Sequence, residues 1–241
     1  MKYLSLLFVF VLLSFNNVPT YHKSDLLGKF NPEKHKEFSR ISSAYCDRDI
    51  YLRKEVNSAF VQMAKAARQE GIDLRILSGT RNFKRQTEIW LSKWDTFKGS
   101  DLEKAKEILL YSSMPGTSRH HWGTDFDLNA LEPEYFESGR GAELYAWLDA
   151  NAWKYGFFQP YYKLGEDRAA GYKEEKWHWS YYPIANQLLK AYNNLIEYKD
   201  LKGYEGAELA DSLQVFDNYV NAIYVPRNLE YKVVRNRYLK K

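Results

Sequence analysis

The chain has 241 residues, 45% of them hydrophobic and 27% charged; these are globular values, so wholesale disorder is excluded and one substantial core, or at most two small domains, is expected. A net charge of +4 is too weak for a nucleic-acid-binding surface, though it leaves room for attraction to an anionic polymer such as a cell wall. The single cysteine, Cys46, excludes an internal disulfide and the zinc patterns built on Cys pairs.

The chain opens on Lys2 and an uninterrupted apolar run from Tyr3 to Ser14. That run is too short to cross a hydrocarbon core of about 30 Å at 1.5 Å per residue. It reads as a secretory signal peptide over residues 1–20, so the mature protein has no stable membrane span and is exported, to the periplasm or outside the cell. No Ala-x-Ala pattern marks the cut, and a buried N-terminal helix is the alternative reading.

After an irregular stretch around Pro32, Asp49 is a candidate N-cap for a helix over 50–69, whose Leu52, Val56, Phe60, Met63 and Ala67 recur at helical spacing. Gly71 stops it, and the alternation from Ile72 to Leu77 predicts a half-buried strand. Ser78 to Asn82 forms a turn, with Asn82 capping a helix over 83–98 that carries Phe83, Trp90, Trp94 and Phe97 on one face. A short helix over 101–111 leads into a Ser/Pro/Gly loop, then a strand bearing Asp125 and Asp127. A helix over 140–155 closes at Gly156, the charged segment Lys163 to Lys173 reads as a mobile loop, and Trp177 to Tyr182 as a strand. Pro183 opens a helix over 184–196. Leu209, Leu213, Phe216, Val220 and Ile223 predict a last amphipathic helix, before a basic, solvated tail from Lys232. Strands separated by helices in few copies point to an α+β domain with a small antiparallel sheet flanked by helices, forming a single domain over 21–241.

Three of the five histidines fall in two short segments flanked by Gly and Trp: His120 and His121 before Asp125 and Asp127, and His178 after Glu174 and Glu175. Two imidazoles and a carboxylate from separate segments match a catalytic zinc site, which keeps its fourth position for water; calcium would want more oxygens. His120 and His121 compete for one ligand role, since neighbours in an extended segment point to opposite sides. Asp125 shares a strand face with Asp127, either orienting a ligating imidazole or forming a salt bridge. Glu175 is a candidate to take and return a proton, with Glu174 the surface-acid alternative. A regular strand would put Glu175 and His178 on opposite faces, so a turn or bulge before Trp177 is required. Arg81, between a strand and a helix start, suits a carboxylate or a developing oxyanion, and Gln86 and Ser118 are candidate donors to a peptide backbone. Cys46 has no flanking pattern of a nucleophile and reads as a buried free thiol.

These residues resemble the zinc D-alanyl-D-alanine carboxypeptidases and dipeptidases of the VanY/VanX type. Ser118-x-His120-x-x-Gly123-x-x-x-Asp127, then Glu175-x-Trp177-His178, meet that family's signature, and Ser78-Gly79-Thr80-Arg81 with Gln86 resembles its upstream element. The likeness runs over about residues 50–185 and leaves a C-terminal helical extension, 186–241, uncovered. It implies the fold shared with the hedgehog signalling domain, Zn2+ on His120, Asp127 and His178, Glu175 as general base and acid to zinc-activated water, and Arg81 contacting substrate and transition state. Gln86 and Ser118 would bind substrate, and Asp125 and Trp177 would support the ligands from behind. Asp125 stands where the family usually has Ala, and Thr80 where it has Tyr. The expected activity is hydrolysis of peptidoglycan stem peptides, most simply as a D,D-carboxypeptidase. An endopeptidase of the same family and a non-catalytic zinc-containing wall-binding module are the alternatives.

Overall fold

The computed structural model describes residues 21–227 and Leu229; the signal-peptide and basic-tail readings lie outside the described residues. Short helix α1 (Lys23–Leu26) precedes a two-stranded hairpin, β1 (Phe38–Arg40) and β2 (Tyr51–Arg53), that leads directly into α2 (Lys54–Gln69). The main sheet has β3 (Ile76–Ser78), β4 (Asp125–Leu128), β5 (Phe157–Phe158) and β6 (His178–Tyr181), in the order β3-β4-β6-β5 with every pairing antiparallel. Between and after these strands come α3 (Phe83–Thr96), α4 (Asp101–Ile108), α5 (Gly139–Asn151), α6 (Tyr182–Leu195) and the one-turn α7 (Leu209–Ser212).

Strand periodicity sorts β4 and β6 into two chemistries. Asp127 pairs with His178, and Asp125 with Ser180, on one face; Phe126 pairs with Trp179 between them and points the other way. Phe126, Leu128, Trp179 and Tyr181 join Val56, Phe60 and Met63 of α2 in one buried cluster, with the Phe126 ring 5.2 Å from Phe60 and 5.1 Å from Phe157. A second cluster gathers Trp90 and Trp94 of α3, Leu188 and Tyr192 of α6, and Tyr204, Ala210 and Leu213 beyond it. Residues past 186 therefore share a core with α3. Among the described residues no helix is long and apolar enough to cross a membrane.

Several sequence readings shift. The helix after Asp49 starts four residues later, because Tyr51–Arg53 pairs with Phe38–Arg40. Long-range pairing wins there over helical periodicity, and Asp49 pairs with Arg40 instead of capping. The strand read from Ile72 is regular only from Ile76. Asn82 does cap α3, accepting from Arg85 N at 2.8 Å, and Ser100 forms a capping box with Glu103 at the start of α4. The last amphipathic helix is broken: Gln214, at φ 48°, takes the left-handed conformation and separates α7 from a wider turn over Phe216–Val220. The segment read as a mobile loop is folded round Arg168, which is buried and donates to the carbonyls of Tyr162, Ala170 and Tyr172.

Because Phe126 is fully buried between Phe60 and Phe157, Phe126→Ala is expected to cost about 3–5 kcal/mol. Denaturant unfolding measures this; a loss under about 1 kcal/mol would mean that the strand's apolar face is not the packing centre.

Candidate metal centre

The loop from Ser112 delivers His120 through a single 3-10 turn, Arg119–Trp122. Ser118 caps it, its hydroxyl accepting from His120 N at 3.3 Å, and Gly123 closes it at φ 69°. A Cβ at Gly123 would lie 2.2 Å from the Phe38 ring, so glycine is required both by conformation and by space. The chain reverses there and returns as β4, which brings Asp127 under His120. From the other side, Glu175, Lys176 and Trp177 form a turn closed by His178 N donating to Glu175 O at 3.1 Å. That turn supplies the break needed to put Glu175 and His178 on the same side.

The ligand atoms of His120, Asp127 and His178 lie within 4.8 Å of one another. His120 Nε2 is 3.4 Å from Asp127 Oδ1 and 3.3 Å from His178 Nδ1, which is 3.2 Å from the same carboxylate oxygen. All three side chains are buried. Each imidazole is anchored by its far nitrogen: His120 Nδ1 sits 2.8 Å from the Gly79 carbonyl, and His178 Nε2 is 3.0 Å from Asp125 Oδ2. A carbonyl only accepts, so His120 carries its proton on Nδ1 and turns the Nε2 lone pair inward. Asp127 Oδ1 is buried without a hydrogen-bond donor. Two inward imidazole nitrogens and one underserved carboxylate oxygen fit zinc in donor type and number.

Asp125 fills both roles open to it in the sequence. It accepts from His178, and it is paired with Arg119 Nε at 2.8 Å, Thr124 Oγ1 at 2.5 Å and Ser180 Oγ at 3.0 Å, all fully buried. Burial alone would raise its carboxyl, but the Arg119 guanidinium and the His178 bond overcome this and hold it well below the usual carboxylate range. Burial likewise works against protonation of His178, yet the Asp125 and Asp127 carboxylates outweigh it and push that imidazole up to about 9. Glu175, with Oε2 3.5 Å from His178 Nδ1, is pushed up to about 8, mainly by burial.

His121 is not part of this cluster. Fully buried, its Nδ1 lies 2.6 Å from the Arg81 carbonyl and its Nε2 accepts from Gly116 N at 3.0 Å. Burial takes its pKa down to about 3, so it is a neutral tie between the Arg81 turn and the Ser112–Ser118 loop. Arg81 N donates to His120 O at 3.2 Å, and Arg81 Nε is buried with no partner. Gln86 is buried, donates from Nε2 to the Ser113 carbonyl at 2.8 Å and keeps Oε1 unpartnered. Trp177 stands behind the site, its ring 6.2 Å from those of Tyr111 and Phe136. The Thr80 hydroxyl donates to Tyr51 O at 2.6 Å. Cys46 is buried, its thiol directed at main-chain carbonyls.

Three neighbours escaped the sequence reading. Arg119 compensates Asp125; the Tyr161 ring packs at a tilt 4.5 Å from the His178 ring; and Lys93 reaches Ser112 Oγ at 2.6 Å. Only Lys93 had a sequence signal, its place two helical turns beyond Gln86 on one face.

An α+β scaffold whose central strand pair carries an inward-facing His/Asp/His set with a buried glutamate beside it defines a zinc-peptidase type of centre. The family model of the VanY D-alanyl-D-alanine carboxypeptidases matches residues 49–184, more than half of the chain, and the protein belongs to that family. It is 36% identical over 133 residues to the putative carboxypeptidase YodJ of Bacillus subtilis, covering 54% of this chain and 46% of that protein. It is 26% identical over 226 residues to a D-alanyl-D-alanine carboxypeptidase of Enterococcus faecium, covering 89% of this chain and 66% of the relative. A D-alanyl-D-alanine carboxypeptidase of Enterococcus faecalis is 33% identical over 122 residues, covering 49% of this chain and 44% of the relative. The chain thus matches about half the length of the B. subtilis and E. faecalis proteins. Among solved structures, a vancomycin-resistance D,D-pentapeptidase VanY in complex with Zn(II) superposes with a TM-score of 0.51 at 25% identity, over 68% of this chain and 88% of that one. The LD-carboxypeptidase LdcB shares the fold with a TM-score of 0.52 at 24% identity, over 76% of this chain and 80% of that one.

With His178 held near 9 in the metal-free protein, zinc must displace its proton, because only the neutral imidazole ligates. Titrating zinc into apoprotein at pH 7 in buffers of different ionisation enthalpy is expected to release at least one proton, and affinity is expected to fall roughly tenfold per pH unit below that range. Binding without proton release would show that His178 is already neutral.

Proposed function

We propose that this chain is an exported D-alanyl-D-alanine carboxypeptidase acting on peptidoglycan stem peptides. The observation that carries the reading is the convergence of His120, Asp127 and His178 with the buried carboxyl of Glu175 3.5 Å from His178 Nδ1. Family membership and the names of the enterococcal relatives support the substrate class. Export to the periplasm or the outside rests on the apolar run from Tyr3 to Ser14.

On this reading His120, Asp127 and His178 hold zinc, which when bound supplies a Lewis acid for the scissile carbonyl and activates water for attack. Glu175 takes the proton lost in that attack and delivers it to the departing amine nitrogen; a carboxyl raised to about 8 accepts a proton at neutral pH far more readily than an ordinary glutamate, and a value close to neutral lets it also give that proton up. Arg81 steadies the negative charge that grows on the carbonyl oxygen. Gln86 Oε1, buried and unpartnered, is placed to accept from a substrate N–H. The Ser118 hydroxyl already serves the His120 turn, so its contribution to substrate binding goes through the loop it shapes. Asp125 fixes the His178 ring, and Trp177 backs the turn that carries Glu175.

Glu175→Gln is expected to keep its zinc and lose hydrolysis by roughly 100- to 10,000-fold, whereas His178→Ala loses both. Metal analysis beside a digest of purified muropeptides measures the two effects. A Glu175→Gln protein with near wild-type turnover would remove the proton-shuttle role. Loss of a single terminal residue marks a carboxypeptidase; larger fragments would mark an endopeptidase instead.

A further inference from the structure

Lys93 plays no part in the chemistry above, yet it belongs to the same wall. It follows Gln86 by seven residues and Trp90 by three on α3, so the three share one helical stripe. Its ammonium lies 2.6 Å from Ser112 Oγ, and Gln86 Nε2 donates to the neighbouring Ser113 carbonyl at 2.8 Å. Two side chains of α3 thereby hold the segment that runs into Ser118 and His120. The Lys93 ammonium is half-buried, feels the Glu175 carboxyl favourably and is repelled by Arg81. No carboxylate forms an ion pair with Arg81 or Lys93 among the described residues, and Arg81 Nε is buried without a partner. Two like charges without an ion-pair partner in a partly desolvated wall repel each other, which favours a further anion beside them.

We propose that Lys93, beside Arg81, binds the free C-terminal carboxylate of the substrate peptide, and that this contact restricts cleavage to a terminal residue. The proposal rests on the carboxypeptidase reading above. A terminal carboxylate lies one residue beyond the scissile carbonyl, about 3.8 Å from Cα to Cα. The cation that binds it must therefore neighbour both the proton-transferring acid and the cation that steadies the carbonyl oxygen, which is where Lys93 stands. With Ser112 as its single hydrogen-bond partner described, the ammonium keeps N–H donors for a ligand.

The test uses one stem peptide ending in D-alanyl-D-alanine, as the free acid and as the C-terminal amide, on the zinc-loaded full-length protein. Wild type is expected to favour the acid, and Lys93→Met, which keeps length and removes charge, to raise KM for the acid by roughly 10- to 100-fold with kcat little changed and the amide unaffected. Lys93→Arg is expected to restore most of the preference, and Ser112→Ala, which removes only the loop contact, to retain it. Calorimetric binding of both peptides to wild type and Lys93→Met reads the same preference without turnover. An unchanged acid-to-amide ratio in a Lys93→Met protein of wild-type Tm and zinc content would overturn the proposal, as would Ser112→Ala reproducing the loss. A wild type that binds the acid preferentially but cleaves neither peptide would instead refute the carboxypeptidase reading.

Discussion

Everything at the metal centre depends on the register of one antiparallel ladder. Asp127 stands opposite His178 and Asp125 opposite Ser180, so four polar side chains meet on one face. Because side chains alternate with a period of two, a slip of one residue would send both aspartates into the cluster around Phe60 and bring Phe126 to the metal. Phe126, Trp179 and the α2 residues they meet are thus what hold the register. The apolar face is a condition of the chemistry on the other face.

A fully buried carboxylate is expensive unless it is compensated. At Asp125 the fold answers that cost with Arg119, Thr124 and Ser180, each within hydrogen-bond distance. In return the His178 ring is fixed at its far nitrogen by a charged acceptor, a stronger anchor than the Gly79 carbonyl that fixes His120. The two imidazoles of the candidate ligand set are therefore held by unequal means. His121 completes the frame from the opposite side, where a neutral imidazole links two backbone segments.

The site was largely legible in the sequence because its residues lie in short, conformationally determined stretches. Gly123 announced the reversal, the alternation of Asp125 to Leu128 announced the strand, and the spacing of Glu175 and His178 demanded a turn that the structure contains. What escaped depends on partners distant in sequence. The β1–β2 hairpin forms because Phe38 meets Arg53, whose side chain donates to the Trp122 carbonyl at 2.7 Å; nothing local to Tyr51–Arg53 overrides its helical periodicity. Arg119 gave no signal in the sequence because the need for it arises only once Asp125 is buried. The break at Gln214 was invisible for the same reason, since leucine spacing reports a helix whether or not the backbone continues it.

The ligand set by itself serves an exopeptidase and an endopeptidase equally, so any discrimination between them must come from walls that do not touch the metal. α3 is such a wall, and residues beyond the family-matched stretch set its position. Trp90 Nε1 donates to the Glu205 carbonyl at 2.9 Å, and a Cβ on Gly206 would come within 2.6 Å of the Trp94 ring. Trp90 lies between Gln86 and Lys93 on the helix, so the contact that seats it also sets the depth at which both reach the Ser112–Ser113 segment. On this account the catalytic centre is common family property. Under the proposal made for Lys93, control of which bond reaches it falls to a helix braced by residues beyond the family-matched stretch.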